Sequence, residues 1–231
     1  MDFIYNGINS KDYKLKVLTV KRYNPPERKV EIIEIPGRHG GLIQDEKVYR
    51  NRIIEVECAI LGQVNILAPF ISEWLYKDFN FKKLYFSDDM QKYFKGMCVN
   101  SLDFEEVLTK YGTCKIIFEC DPFAYLETGD NLTTLINHKT IVNPGTCKSC
   151  PYIKIYGNGD ITLNVNNENV KLLNVNGYIE IDSEEQECFK DTEECNNKFI
   201  GDFPCFETGE NVVSWTGNVT KVEVIPRWRC L

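Results

Sequence analysis

Histidine is scarce in this chain: two residues of 231, His39 and His138. His39 lies among glycines and His138 in a polar stretch, and neither has a Cys or Ser neighbour in a nucleophile motif. Imidazole is the commonest general base, so acid–base and nucleophilic catalysis have little to work with, and no catalytic residue is assigned. Positive charge is also short. Lys and Arg number 27 against 34 Asp and Glu, a formal net charge of −7. That excludes tight nonspecific binding to nucleic acid, which needs clustered cations to neutralise phosphates. It leaves room for a channel through which DNA passes as cargo, because an acidic wall keeps the polymer from sticking. No stretch approaches the roughly 18 apolar residues of a membrane helix. Met1-Asp2-Phe3 opens with neither a basic region nor an apolar run, so synthesis in a cytoplasm and no membrane partner are expected. No internal repeat is visible.

Ten cysteines are the compositional oddity. In a chain made in a reducing cytoplasm a disulfide framework is not expected. Cys58, Cys114 and Cys120 sit in apolar strand patterns, where Cys acts as a small buried hydrophobe. Cys147 and Cys150 have the two-residue spacing of zinc and redox sites, but a second such pair is missing. Cys188 and Cys195 have six residues between them, and Cys205 stands isolated. Two unrelated thiols near a turn therefore outweigh a zinc site or a regulatory disulfide. The run Asp182–Glu187 lacks the alternating ligands and fixed glycine of a calcium loop. Gly37–Gly41 lacks the Lys-Ser/Thr of a P-loop and the spacing of a dinucleotide fingerprint. No metal or cofactor is expected.

Hydrophobic residues make up 43% of the chain and charged ones 26%, with 13 Phe and 12 Tyr. This composition supports a packed core rich in strands. Strands are predicted at Phe3–Tyr5, after which Asn6-Gly7 turns, and at Leu15–Val20. In Ile53–Ile60, Ile54, Val56, Cys58 and Ile60 alternate with Glu55 and Glu57, the pattern of a half-buried antiparallel strand. One helix is predicted from Pro69, as first helical residue, to Phe79, with Phe70, Ile71, Trp74, Leu75 and Phe79 as its apolar face. Further strands follow at Lys83–Phe86, Tyr93–Leu102 and Thr113–Cys120, the last ended by Asp121-Pro122. Gly129–Asn143 reads as a connector, which places a domain boundary near residue 140. Beyond it, Tyr152–Tyr156, Ile161–Val165, Val170–Val175 and Tyr178–Ile181 are separated by turns at Gly157–Asp160, Asn166-Asn167 and Asn176-Gly177. A polar loop, Asp182–Asn197, precedes strands at Phe199–Phe206, Asn211–Trp215 and Lys221–Pro226. Short strands and turns at this interval predict a β-sandwich.

The stretch Ile35–Cys58 is the feature around which the rest is arranged. A strand, Lys29–Ile35, runs into Pro36, Gly37, Arg38, His39, Gly40 and Gly41, then a polar run Gln44–Lys47 and Tyr49, then the strand Arg52–Ile60. Pro36 removes a ladder donor where the first strand should stop, and the glycines allow turns closed to other residues. Gly37, Arg38, His39, Gly40, Gly41 and Tyr49 are candidates for an intersubunit arm, with the glycines as its hinges.

The order of short motifs resembles the siphophage distal tail protein (Dit) family, which serves phages of Gram-positive bacteria. In the first half the resemblance rests on Ile35-Pro36-Gly37-Arg38, Gly41-Leu42, an acidic stretch and Tyr49, then Trp74-Leu75 and Phe118-Glu119-Cys120-Asp121-Pro122-Phe123. In the second it rests on Asn143-Pro144-Gly145, Pro151–Gly157, Gly159-Asp160-Ile161, Ile179–Ser183, Asp202-Phe203-Pro204, Gly209-Glu210-Asn211 and Ile225–Arg229. The resemblance implies a mainly β protein in two parts. Residues 1–140 would form a tube-like β-barrel or sandwich with one helix, and residues 141–231 a galectin-like β-sandwich. It further implies a homohexameric ring at the virion tail tip. Such a ring joins the tail tube protein to baseplate or fibre proteins and lets DNA through its centre. Enlarged members of the family carry long carbohydrate-binding insertions that this chain lacks. Two other readings stay open. The sandwich and its Asn-rich turns (Asn158, Asn164, Asn166, Asn167) suit a module binding host cell-wall polysaccharide, and an enzyme on wall polymers would need two carboxylates at a set separation.

Overall fold

In the computed structural model, which describes residues 1–108 and 110–231, contacts divide the chain into Met1–Ala124 with Leu231, and Tyr125–Cys230. The first unit carries β1 (Phe3–Tyr5), β2 (Ile8–Asn9), β3 (Leu15–Lys21), β4 (Arg28–Ile33), β5 (Leu42–Tyr49), β6 (Arg52–Ile60), α1 (Val64–Tyr76), β7 (Lys82–Phe86), β8 (Asp89–Cys98) and β9 (Phe104–Leu108). It also holds most of β10 (Tyr111–Leu126), which runs on into the second unit. Its main sheet has the order β2-β1-β7-β8-β10-β6-β3, with β9 also on β10.

Alternation decides β6. Ile54, Val56, Cys58 and Ile60 are fully buried. Outward-facing Glu55 takes Lys21 and Lys115, and Glu57 accepts from the Thr19 hydroxyl at 2.7 Å. Asn6 and Gly7 both have positive φ, 51° and 77°, the turn that closes a tight hairpin. Helix α1 lays Trp74 on the sheet. The indole stacks between Phe3 at 5.6 Å and Tyr13 at 4.9 Å, and its Nε1 donates to the Tyr5 carbonyl at 3.1 Å.

Two expectations for this unit need correction. The helix starts at Val64, and Pro69 lies inside it. Its buried face is Val64, Ile71, Trp74 and Leu75, with Leu67 packed beside them, whereas Phe70 and Phe79 are exposed. Pro69 is in the second turn, where its missing N–H costs one bond to the Asn65 carbonyl. Gln63 precedes the helix without a side-chain cap bond, so the usual start signal is absent. The other correction is at Asp121-Pro122, which does not end its strand: β10 continues to Leu126. The β6 ladder stops at Cys120 opposite Arg52, so that neighbour asks no N–H of Pro122.

The second unit carries β11 (Thr133–Leu135), β12 (Lys139–Asn143), β13 (Tyr152–Val165), β14 (Glu168–Asp182), β15 (Glu187–Lys190), β16 (Glu193–Glu194), β17 (Phe199–Ile200), β18 (Gly209–Ile225) and β19 (Arg229–Cys230). The sheet order is β11-β18-β13-β14-β15-β16, with β12 also on β18 and β17 on β14. The expected connector therefore contains two strands, both paired with β18. The boundary expected near residue 140 falls inside this unit. The expected polar loop likewise holds β15 and β16, with Cys188 and Cys195 buried beneath.

Asn166-Asn167 closes the hairpin between β13 and β14 as predicted. Gly157–Asp160 and Asn176-Gly177 are not turns. Asn176 and Gly177 pair in register with Asn158 and Gly157, and the long strands carry on through a bulge beside them, with register shifts between Gly159 and Ile161 and between Asn158 and Thr162. Positive φ at Gly159, Asn174, Gly177 and Gly217 serves the bends. At Gly217 a Cβ would also stand 2.6 Å from the Asp160 carbonyl oxygen. On either side of the bulge, Ile153 and Ile155, then Ile161, Leu163 and Val165, enter one core. The sheet thus folds over itself as a sandwich.

Candidate assembly arm

Among the described residues β4 and β5 pair with each other and with no other strand. The register sets Arg28 opposite Tyr49, Val30 opposite Asp45, Glu31 opposite Gln44, Ile32 opposite Ile43 and Ile33 opposite Leu42. Cross-strand partners share a face. One face therefore presents Val30, Ile32 and Ile43, and the other Ile33 and Leu42, all exposed; Ile43 is 74% accessible and Ile32 66%. Opposite charges lace the ribbon. Arg28 grips Asp45 through two nitrogens, and Lys29 meets Glu46 at 2.6 Å. The Arg28 hydrogen bonds, with the Lys47 backbone N–H, hold the Asp45 carboxyl below its usual range. Such exposed pairs fix register more than they add stability.

The candidate residues separate in space. Gly37, Arg38, His39 and Gly40 lie exposed at the tip, with half-buried Gly41 next to them. Arg38 N–H donates to the Ile35 carbonyl at 3.1 Å, and Gly37 and Gly40 have φ of 82° and 77°. The glycines are therefore the turn of the hairpin and not its hinges. Tyr49 is at the base, its ring edge-on to Phe123 at 6.2 Å. There Arg50 N–H donates to the Glu27 carbonyl at 2.8 Å, so the two ends of the arm meet. The sequence signal missed β5, reading Gln44–Lys47 as a polar link to Arg52. A two-stranded ribbon with aliphatic residues on both faces is marginal alone in water. Its open edges and apolar faces are suited to pairing with, or packing on, another chain.

Other sequence candidates are occupied internally. Asn158 Oδ1 accepts from Gly177 N–H at 3.0 Å, and Asn166 donates to Asn211 at 2.8 Å. The rings of Tyr156 and Tyr178 are covered by ammonium groups: Lys221 lies 4.2 Å from the first centroid and Lys154 4.0 Å from the second. A sugar would have to displace these cations to stack there. Cys205, isolated in sequence, lies 3.8 Å from Cys150. Among the described residues no group of three or more His, Cys, Asp or Glu side chains is placed to hold a metal.

Carboxylates of the second unit give a pH signature. Asp182 is gripped by Arg227 at 2.6 and 2.7 Å and accepts N–H groups of Glu184 and Glu185. Burial raises its pKa, but Arg227 and the two N–H groups outweigh that and leave it lowered. A lowered folded pKa gives stability that is complete above the unfolded value of about 3.9 and lost as pH falls through the folded value. The second unit should thus weaken below about pH 4. Asp182→Asn should flatten that slope in urea titrations from pH 5 to pH 2, and an unchanged slope would contradict the assignment.

Comparison with known proteins agrees with this architecture. Residues 8–120 match the family described as phage tail protein RIFT-related domain. The crystal structure of SPP1 Dit, described as a paradigm of the hub adsorption apparatus in phages infecting Gram-positive hosts, superposes with a TM-score of 0.77 at 15% identity. The match covers 96% of this chain and 97% of that one. A chain of the phage p2 baseplate in its activated conformation with Sr matches with a TM-score of 0.48 at 13% identity, over 96% of each chain. No curated protein matches in sequence. Over residues 8–120 the chain is thus similar to a family of phage tail protein domains. Along nearly its whole length it has the fold of a siphophage distal tail protein, Dit, as the order of its motifs led one to expect.

Proposed function

We propose that the protein is a structural hub of the tail tip of a siphophage or phage-tail-like particle. Six copies form a closed ring that joins the tail tube protein to baseplate or fibre proteins and passes DNA through its centre. The first unit builds the ring and the second, a galectin-like sandwich, stands as scaffold. No catalytic step is assigned to it. The observation that carries this reading is the β4–β5 ribbon, with exposed aliphatic residues on both faces and no further strand partner among the described residues of its own chain. Closed rings need a contact in which one surface of each copy meets a different surface of the next, and a protruding ribbon supplies such a surface.

The test is excision. Because Glu27 and Arg50 already share a hydrogen bond, Arg28–Tyr49 can be replaced by two glycines. The thermal midpoint of the excised protein should stay close to wild type. Rings seen by electron microscopy of the purified wild-type protein, alone or with tail tube protein, should disappear. Intact rings from the excised protein would remove the arm from assembly, and a wild type that stays monomeric with its tail partners would remove the hub reading itself.

A further inference from the structure

We propose that Cys150 and Cys205 are a redox-active pair that closes to a cross-strand disulfide in the folded protein. Ser149 and Phe206 form an isolated antiparallel bridge, exchanging both backbone bonds at 2.9 Å. One step along each strand, Cys150 and Cys205 are then directly opposite as a non-hydrogen-bonded pair. Cα atoms at such a position are about 4.5 Å apart, inside the range a disulfide spans. Their sulfurs lie 3.8 Å apart, and both residues are half-buried, within reach of small reagents. Each of the ten cysteines is a free thiol, and the pairs on β6 and β10 (Cys58, Cys114) and under β15 (Cys188, Cys195) are buried from solvent.

The two thiols differ in kind. Arg229 Nη2 donates to Cys150 Sγ at 3.5 Å. The hydrogen bond from Cys205 lowers the Cys150 thiol pKa against the opposing effect of burial, and the Arg229 charge lowers it further. The same pairing and burial raise Cys205. Cys150 is thus the nucleophile and Cys205 the resolving thiol. With oxidised glutathione as the low-molecular-weight disulfide, the Cys150 thiolate attacks one sulfur, forming a mixed disulfide and releasing one glutathione thiolate. Cys205 then loses its proton and attacks Cys150 Sγ, which expels the second glutathione. Two protein thiols are oxidised by two electrons, one glutathione disulfide is reduced to two thiols, and the protein's protons end on them. The bond would tie the segment before β13 to the segment before β18.

The test uses the folded wild-type chain, whether or not it assembles into a tail. After oxidised glutathione and trapping with iodoacetamide, non-reducing peptide mapping should show Cys150 joined to Cys205, with two alkylatable thiols lost. Cys205→Ser should stop at a stable glutathione adduct on Cys150, and Cys150→Ser should leave Cys205 unmodified. A Cys147–Cys150 link in the wild type, or both Cys150 and Cys205 still alkylated, would overturn the proposal. So would an adduct on Cys205 in the Cys150→Ser variant. Circular dichroism on each variant identifies any that has lost its fold, and the wild-type map decides the pairing without them.

Discussion

Trp74→Ala is expected to destabilise the N-terminal unit by about 3–5 kcal/mol, the range for emptying a large aromatic site in a core. The indole is 4% exposed and lies between the rings of Phe3 and Tyr13, with Tyr5 edge-on at 6.2 Å. Its removal opens a cavity at the junction of α1, β1 and the turn after β2, and takes the Nε1 donor from the Tyr5 carbonyl. Domain stabilities are about 5–15 kcal/mol, so one such change takes a large share. Trp74→Phe keeps most of the stacking and loses the N–H, and should cost much less. Urea unfolding followed by circular dichroism measures both, and limited proteolysis reports which unit opens. Wild-type-like midpoints for the alanine variant would mean that α1 is not anchored through this ring.

Asn211→Ala is expected to cost the second unit about 3 kcal/mol, since each buried group left without a partner costs about 1–3 kcal/mol. The residue is fully buried and uses its whole amide. Nδ2 donates to the carbonyls of Glu207 and Gly209 at 2.8 and 3.0 Å. Oδ1 accepts from Glu207 N–H and Asn166 Nδ2, both at 2.8 Å. Asn166 in turn exchanges bonds with the Val212 backbone at 2.9 Å. One side chain thus fastens the entry of β18 to the β13–β14 turn. Asn211→Asp keeps the acceptors but faces a charge toward two carbonyls, and should be nearly as damaging at neutral pH. Fluorescence of Trp215 and Trp228 follows this unit, and a shift below about 1 kcal/mol in both variants would discard the account.

Legibility in the sequence followed burial. β6 was readable because one of its faces is sealed in the core, which forces Ile54, Val56, Cys58 and Ile60 to alternate with charge. β5 was not, because a ribbon wet on both faces imposes no alternation, and Leu42-Ile43 followed by Gln44–Lys47 looks like a strand end and a loop. The β13–β14 turn and the bends at Gly157–Asp160 and Asn176-Gly177 use the same residue types. Positive φ serves a reversal or a bulge equally, and what separates them is the partner strand opposite. The arm's tip was found from its glycines, but its base, where Glu27 meets Arg50, has no local signature. Cys150 advertised Cys147 by spacing, whereas its neighbour in space comes from the far side of β13 and β14.

The place of β18 has a consequence for the order of synthesis. It lies between β11 and β13 and also holds β12, yet it follows all three in the chain. Until Gly209–Ile225 leaves the ribosome, β11, β12 and one edge of β13 have no partner, and the core that needs Val213, Trp215, Val222 and Val224 cannot close. The first unit, whose strands β1 to β10 all precede residue 127, waits only for Leu231. It should therefore be native while the second is still an open set of edges, the interval in which a nascent chain most needs protection from its neighbours.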